Sequence, residues 1–245
     1  MFRQTQRRGT RQRGFTLIEV MVVVVILGIL AAVVVPIPQY ALLVTLAPAC
    51  VLFVLVGAST TSNASPGAYD NASGVSVLLE LARTYAGAQP NANLVFVATG
   101  AEEAGLCGAV ALMQNEDFTA VYPPERSIVI NLDGVGSKGP LRVTDRYGIP
   151  PVKTGPQVAQ LCHDVAARFG IESKSNWLPV GAGMDHIPFA VHGYHSVTLS
   201  TAGWNPAFRA MHTKRDTIEK LDVTSLEYCF AVCQEIVDSI PYMES

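Results

Sequence analysis

Residues 94–105 read Leu94-Val95-Phe96-Val97-Ala98-Thr99-Gly100-Ala101-Glu102-Glu103-Ala104-Gly105. A short apolar, β-prone run leads straight into two adjacent carboxylates, which predicts a buried strand over 94–99 ending in a polar loop. The same pattern recurs downstream, where Ile128-Val129-Ile130-Asn131-Leu132 is followed by Asp133-Gly134. Upstream, Asp70 opens a helical stretch through Asn71-Ala72-Ser73-Gly74. Reading outward from these points, the pattern predicts a helix over 71–85, the strand at 94–99, a short helix at 107–113 and a strand at 128–132. A helix at 158–169, a strand at 194–200 and a helix at 224–240 complete it. Helices alternating with short Val/Ile/Leu-rich strands imply an α/β fold, a three-layer sandwich with a mostly parallel central sheet.

Open α/β sheets bind ligands beyond the carboxyl ends of their strands. Taken singly, Asp70 fits a helix N-cap, Glu102-Glu103 a solvated turn and Asp133-Gly134 a turn signal. Taken together, they set several acids at one sheet edge, where they would repel one another unless a cation joins them. Divalent cations take carboxylate oxygens and imidazole nitrogen, and a catalytic zinc site keeps one position open for water. The histidine candidate is His212, in Met211-His212-Thr213-Lys214-Arg215-Asp216-Thr217, after the loop Gly203-Trp204-Asn205-Pro206 and before the last helix. Adjacent glutamates suit a division of labour in which one ligates the metal while its neighbour moves the proton of the attacking water.

The 245-residue chain carries a net charge of −3. Five arginines (Arg3, Arg7, Arg8, Arg11, Arg13) fall in the first 13 positions, which leaves 12 basic residues against 20 acidic ones from Gly14 onward. That acidic remainder argues against a nucleic-acid partner, which needs clustered Lys and Arg. The five cysteines, Cys50, Cys107, Cys162, Cys229 and Cys233, contain no CxxC pair, so neither a disulfide scaffold nor a Cys-ligated zinc organises the fold. Residues 1–14 form a basic leader. Residues 15–35 form an apolar run whose only charge is Glu19. As a helix it reaches about 31 Å, enough for a bilayer core of roughly 30 Å. The arginines before it place the N-terminus in the cytoplasm. A second apolar run, 41–58, contains Pro48 and fits either a kinked span or a buried element of the domain. No charge in residues 20–69 decides on which side of the membrane the rest sits. Residues 59–66 form a polar linker, and 67–245 form the water-soluble domain.

Two resemblances join these features. Arg13-Gly14-Phe15-Thr16-Leu17-Ile18-Glu19-Val20-Met21 resembles the start of type IV pilins and type II secretion pseudopilins. It implies cleavage after Gly14, methylation of Phe15, a bacterial inner-membrane location and pairing of Glu19 with a neighbouring subunit's N-terminus.

The stretches Ser65-Pro66-Gly67-Ala68-Tyr69-Asp70-Asn71-Ala72-Ser73-Gly74-Val75, Ala98-Thr99-Gly100-Ala101-Glu102-Glu103-Ala104-Gly105-Leu106-Cys107-Gly108, Asn131-Leu132-Asp133-Gly134-Val135-Gly136 and Met211-His212-Thr213 with Asp216-Thr217 are similar to the M28 family of zinc aminopeptidases. The resemblance implies that Asp70 bridges two zinc ions, Glu102 is the general base, Glu103 ligates one zinc, and Asp133 and His212 ligate the other. It implies a cis peptide between Asp70 and Asn71. It also places Asp185 and His186, in Gly183-Met184-Asp185-His186-Ile187-Pro188-Phe189, at the mouth of the site.

The chain departs from that family at one ligand. The family's further histidine lies upstream of the bridging aspartate, whereas this chain has no histidine before His163. One zinc site is therefore expected, with the second weak or absent, and His186, His192 and His195 are the candidates to replace the lost imidazole. The upstream strands of the fold are missing with it, an N-terminal truncation that exposes a sheet edge. The expected function is a membrane-tethered zinc aminopeptidase acting on peptides. The alternatives are a one-zinc glutaminyl cyclase-like enzyme and an inactive pilin-like structural or binding protein.

Overall fold

The structure is a computed structural model and describes residues 64–179, 181–201 and 205–240. The apolar runs 15–35 and 41–58, with Gly14, Phe15 and Glu19, lie outside the described residues. Among the described residues, no helix is long and apolar enough to cross a membrane.

A π-turn at Ala68–Ala72 leads into helix α1, Ser73–Tyr85. Helices α2, Cys107–Met113, and α3, Glu116–Val121, precede strand β1, Ile128–Leu132. Then come β2, Leu141–Tyr147, and β3, Val152–Lys153, followed by α4, Pro156–Arg168, and β4, Ser173–Leu178. The chain closes with α5, His186–Val191, β5, His195–Thr201, and α6, Val223–Asp238.

The long helices form where apolar residues recur at helical spacing. On α1 the stripe Gly74, Val77 and Leu81 is buried. On α4 it is Val158, Ala159, Cys162, Val165 and Ala166, entered through Pro156 in the first turn. Helix α6 starts at Asp222, whose side chain accepts from the backbone N–H of Ser225, and buries Cys229, Val232, Cys233 and Ile236. These stripes pack with Leu132, Val135, Leu141, Val143, Val197 and Leu199 into the main core. The cysteines in it behave as small apolar residues. Ile130 packs against this core, while its neighbour Val129 packs against a second cluster of Ala109, Met113, Phe189 and Tyr194. Successive strand residues face opposite sides, so the sheet carries helices on both faces.

The sheet is mixed, which corrects the mostly parallel arrangement expected from the sequence. Strand β1 pairs parallel to β5, from Ile128 opposite His195 to Leu132 opposite Leu199. Strand β2 runs antiparallel to β5 and β3 and parallel to β4. Strands β2 and β4 escape the apolar pattern that marks β1 and β5. Arg142, Asp145 and Arg146 interrupt the one, and the other is the polar edge Ser173-Lys174-Ser175-Asn176.

The strand expected at 94–99 does not form among the described residues. Those residues have no ladder partner among the described residues, and Val95, Phe96 and Val97 are exposed. An apolar run becomes a strand only when a neighbour accepts its backbone hydrogen bonds. A cavity of about 400 Å³ is lined by Val97, Ala98 and Thr99 together with Ile130–Asp133 of β1 and its exit.

Two glycines bring the functional segments close. A Cβ on Gly74 would stand 2.3 Å from the carbonyl oxygen of Leu132, so α1 can approach the end of β1 only without a side chain there. A Cβ on Gly108 would stand 2.4 Å from the Gly100 oxygen, where the first turn of α2 closes on the loop carrying the two glutamates.

Candidate metal centre and catalytic site

Asp70 is held by its backbone. The buried carboxylate of Asp216 accepts from the N–H of Tyr69 at 2.7 Å and from that of Asp70 at 3.2 Å. The Asp70–Asn71 peptide is cis. Asn71 then ties this turn to the exit of β1: its amide donates to the Leu132 carbonyl at 2.8 Å, and its oxygen accepts from the N–H groups of Gly74 and Gly134. Ser73 accepts from the Val135 N–H and donates to the Tyr69 carbonyl. The phenol of Tyr69 donates to the Thr201 carbonyl, and burial plus the acids around it hold its pKa well above the usual tyrosine value.

Asp216 and Asn71 both lie inside the quoted motifs, but nothing local in the sequence marks their roles. Their importance lies in contacts across 61 to 147 residues. Asp216→Ala leaves two backbone donors without their charged acceptor. It is expected to cost roughly 2–4 kcal/mol of stability and to weaken metal binding, whereas Asp216→Asn keeps one acceptor and costs less. Denaturant melts of the two variants check this, and equal losses would contradict it.

Glu102 and Glu103 sit on a tightly wound loop. Ala101 (φ 57) and Leu106 (φ 59) both adopt the left-handed region that non-glycine residues rarely occupy. The Glu102 carbonyl accepts from Gly105 and Leu106, and the Ala101 carbonyl accepts from Cys107. Asp133 follows β1 directly, its N–H donating to the Leu199 carbonyl of β5. His212, also in the left-handed region (φ 61), lies on the segment after β5. Asp133 and the His212 segment thus both emerge beyond the carboxyl ends of the parallel pair β1 and β5.

The convergence is specific. His212 Nε2 lies 2.7 Å from Asp70 Oδ2 and 2.8 Å from Glu103 Oε1. One ligand atom from each of these three residues falls within a sphere of mutual distances below 4.8 Å. The resemblance assigns Glu103 and His212 to different ions, whereas the structure brings Asp70 and Glu103 onto the same His212 nitrogen. A ring nitrogen this close to two carboxylate oxygens either donates its proton to them or shares a metal ion with them. Zinc bound at about 2.0–2.2 Å sets its donors about 3.3 Å apart, so opening these contacts by about half an ångström fits the ion. The donor set of two carboxylates and one imidazole suits zinc.

Among the described residues, no other histidine joins the group. His186 is fully buried, its Nδ1 against the hydroxyl of Thr198 at 2.7 Å, and burial pulls its pKa down to about 4, so it stays neutral. His192 bonds the Pro188 carbonyl, and His195 begins β5. Asp185 lines the cavity beside Asp70, Glu102, Glu103 and Asp133, and His186 does not.

Burial, and then the charges of Asp133, Glu103, Asp185 and Asp70, push the Glu102 carboxyl up to about 7. Burial, and then Asp70, Asp185 and Glu103, push Asp133 up to about 7, against the opposing pull of His212. Both acids therefore bind protons more tightly in the folded chain than in the unfolded one. Their contribution to stability is full below about pH 4 and is lost as pH rises through 7. Zinc-free protein is expected to melt at a lower temperature at pH 7.5 than at pH 5, and added zinc to narrow the gap. Melting temperatures independent of pH without zinc would contradict the clustering of these acids.

Comparison with known proteins agrees with the fold. The family model described as peptidase family M28 matches residues 53–237, and that of the prokaryotic N-terminal methylation motif matches residues 9–35. Aminopeptidase YwaD of Bacillus subtilis is 32% identical over 169 residues, covering 66% of this chain and 35% of that protein. The structure of the aminopeptidase from Aneurinibacillus sp. strain AM-1 superposes with a TM-score of 0.59 at 30% identity, covering 72% of this chain and 40% of that one. Type II secretion system core protein G of Pectobacterium carotovorum is 75% identical over 28 residues, covering 11% of this chain and 18% of that protein. The chain thus spans 35% and 40% of the length of these two aminopeptidases.

Proposed function

The chain belongs to peptidase family M28 and carries a prokaryotic N-terminal methylation motif, and from that premise we propose that it is a membrane-tethered zinc aminopeptidase hydrolysing N-terminal peptide bonds. The observation that carries the proposal is the meeting of Asp70 Oδ2, Glu103 Oε1 and His212 Nε2 at one point beside Glu102.

In this reading Asp70, Glu103 and His212 hold one zinc ion, and Asp133 lines the cavity beside them. A bound zinc supplies Lewis acidity and lowers the pKa of water toward about 7. Glu102, with its carboxyl near 7, takes the proton of the attacking water and hands it to the leaving amine. The Asp216 and Asn71 contacts keep Asp70 at the exit of β1 throughout. The domain is read as the three-layer M28 fold over residues 67–245 after the linker 59–66.

Residues 1–14 are read as a leader cut after Gly14, and 15–35 as a single span with a cytoplasmic N-terminus in a bacterial inner membrane, with 41–58 as a second apolar segment. Phe15 becomes the methylated N-terminus and Glu19 a contact to neighbouring pilin-like subunits.

A second reading is favoured by the composition of the metal group itself. One aspartate, one glutamate and one histidine around a single ion is the set of the glutaminyl cyclases. Incubating the zinc-supplemented full chain with a leucine-initiated and a glutamine-initiated peptide separates the two. Release of leucine supports the peptidase, formation of a pyroglutamyl peptide supports the cyclase, and neither product, with no zinc bound, supports the structural alternative.

A further inference from the structure

The turn that follows His212 carries two cations that pair with no acid of the chain. The Asp216 N–H donates to the Thr213 carbonyl at 3.0 Å, closing a β-turn with Lys214 and Arg215 at its exposed tip. Both ends of this turn are tied to the metal group. His212 precedes it, with Nε2 at 2.7 Å from Asp70 Oδ2, and Asp216 ends it, with its carboxylate on the N–H groups of Tyr69 and Asp70. Lys220 Nζ donates to the Arg215 carbonyl and braces the tip.

Other cations of the chain are neutralised: Arg83 pairs with Glu80, Arg146 with Asp145, Arg168 with Glu235 and Lys174 with Glu172. Among the described residues, Lys214 and Arg215 make no ion pair, although acids outnumber bases 20 to 12 from Gly14 onward. The acids of their own segment are committed, Asp216 to the backbone of Tyr69 and Asp70 and Glu219 to the Thr217 side chain. Two adjacent like charges on a braced turn favour an anion that arrives from outside the chain.

A peptide brings one. With its scissile carbonyl at the zinc group, each residue beyond it spans at most about 3.6 Å, so the carboxylate of a dipeptide or tripeptide lies within about 4 to 8 Å of the attacked carbon. At about 3.8 Å per step, the Cα atoms of Lys214 and Arg215 lie within about 8 and 11 Å of the His212 Cα, and their side chains are long enough to cover that range. Asp70, Glu102, Glu103 and Asp133 repel an anion, so a charged peptide end is accommodated on a side that carries cations. A longer peptide takes its carboxylate past the turn.

We propose that Lys214 and Arg215 receive the carboxylate end of the substrate, so that the site favours peptides of two or three residues with a free C-terminus. The inference rests on the aminopeptidase reading and names its substrate class.

The test compares kcat/KM of zinc-supplemented full chain for Leu-Gly-Gly and for its C-terminal amide, at low salt and at high salt. Two exposed ion pairs predict that the wild type prefers the free acid by about fivefold at low ionic strength, with the difference in KM. The preference is expected to fall to within about twofold near 0.5 M salt. The double variant Lys214→Ala, Arg215→Ala is expected to lose the preference at low salt with zinc stoichiometry at the wild-type value. The exchange Lys214→Arg, Arg215→Lys keeps both charges and is expected to keep the preference. Lys153→Ala, which removes an exposed charge on β3, is expected to keep it as well. The wild-type salt series is the readout should the double alanine variant fail to fold. Equal rates on acid and amide at low salt, a preference that survives the double alanine variant or high salt, or its loss in Lys153→Ala overturns this inference and leaves the peptidase reading intact. A zinc-loaded wild type that releases leucine from neither peptide overturns both.

Discussion

Glu102→Gln is expected to lower turnover of an aminoacyl p-nitroanilide by roughly 10²–10⁴-fold, the usual contribution of a positioned general base, with zinc stoichiometry unchanged. The amide keeps the size of the side chain and the loop that carries it, whose hydrogen bonds run through the backbone of Ala101 and Glu102. It removes only the capacity to accept a proton. Since Glu102 is outside the three-residue ligand group, the ion has no reason to leave. The replacement also removes one charge from the acid cluster, so the zinc-free variant is expected to be as stable as the wild type or more so near pH 7. Paired kinetics and elemental analysis check the assignment. Loss of zinc in step with loss of turnover would show that Glu102 holds the metal.

His212→Ala has the opposite signature. It removes the one imidazole of the group and leaves Asp70 and Glu103 as two oxygen donors facing each other. Zinc affinity is expected to fall by at least 100-fold, since loss of a direct ligand costs more than loss of an outer hydrogen-bonding partner, which itself costs about 10- to 100-fold. Turnover should fall with it and return only in part at high added zinc. His212 occupies a left-handed backbone position (φ 61) that alanine tolerates poorly. His212→Asn keeps a residue suited to that backbone while still removing the imidazole. Zinc loss common to both variants assigns the effect to the ligand, and retention of zinc in either one contradicts the assignment.

The residues of the candidate site differ in how legible they are in the sequence. Asp70, Glu102, Glu103, Asp133 and His212 could be picked out because each sits in a turn whose backbone demands particular neighbours: Gly74 against Leu132, Gly108 against Gly100, the glycine after Asp133. Such demands leave local marks in a sequence. The partition of ligands leaves none. That Asp70 and Glu103 meet at the same His212 nitrogen depends on how the 101–106 loop and the segment after β5 are aimed, and those segments are over 100 residues apart. The same holds for Asp216, which grips the backbone of Tyr69 and Asp70 from across the chain, and for Thr99, whose hydroxyl fixes Asp185.

The fold divides along a similar line. Helix α2 and strand β1 fall at the expected bounds, and the three long helices and β5 fall within about two residues, because burial of one stripe or one run decides them. Strands β2 and β4 hold charged and polar residues that local pattern assigns to loops, and only pairing across the sheet makes them strands. Residues 94–99 err in the other direction. Their composition is that of a strand, but strand formation depends on a neighbour, which the composition of one segment does not report.

Zinc K-edge anomalous diffraction from crystals of the zinc-soaked protein tests the central claim most directly. The account predicts one strong peak per chain within coordination distance of Asp70, Glu103 and His212 together, with Glu102 outside that distance. A peak that leaves out His212 or Glu103, or no peak at all in fully zinc-soaked crystals, would contradict it.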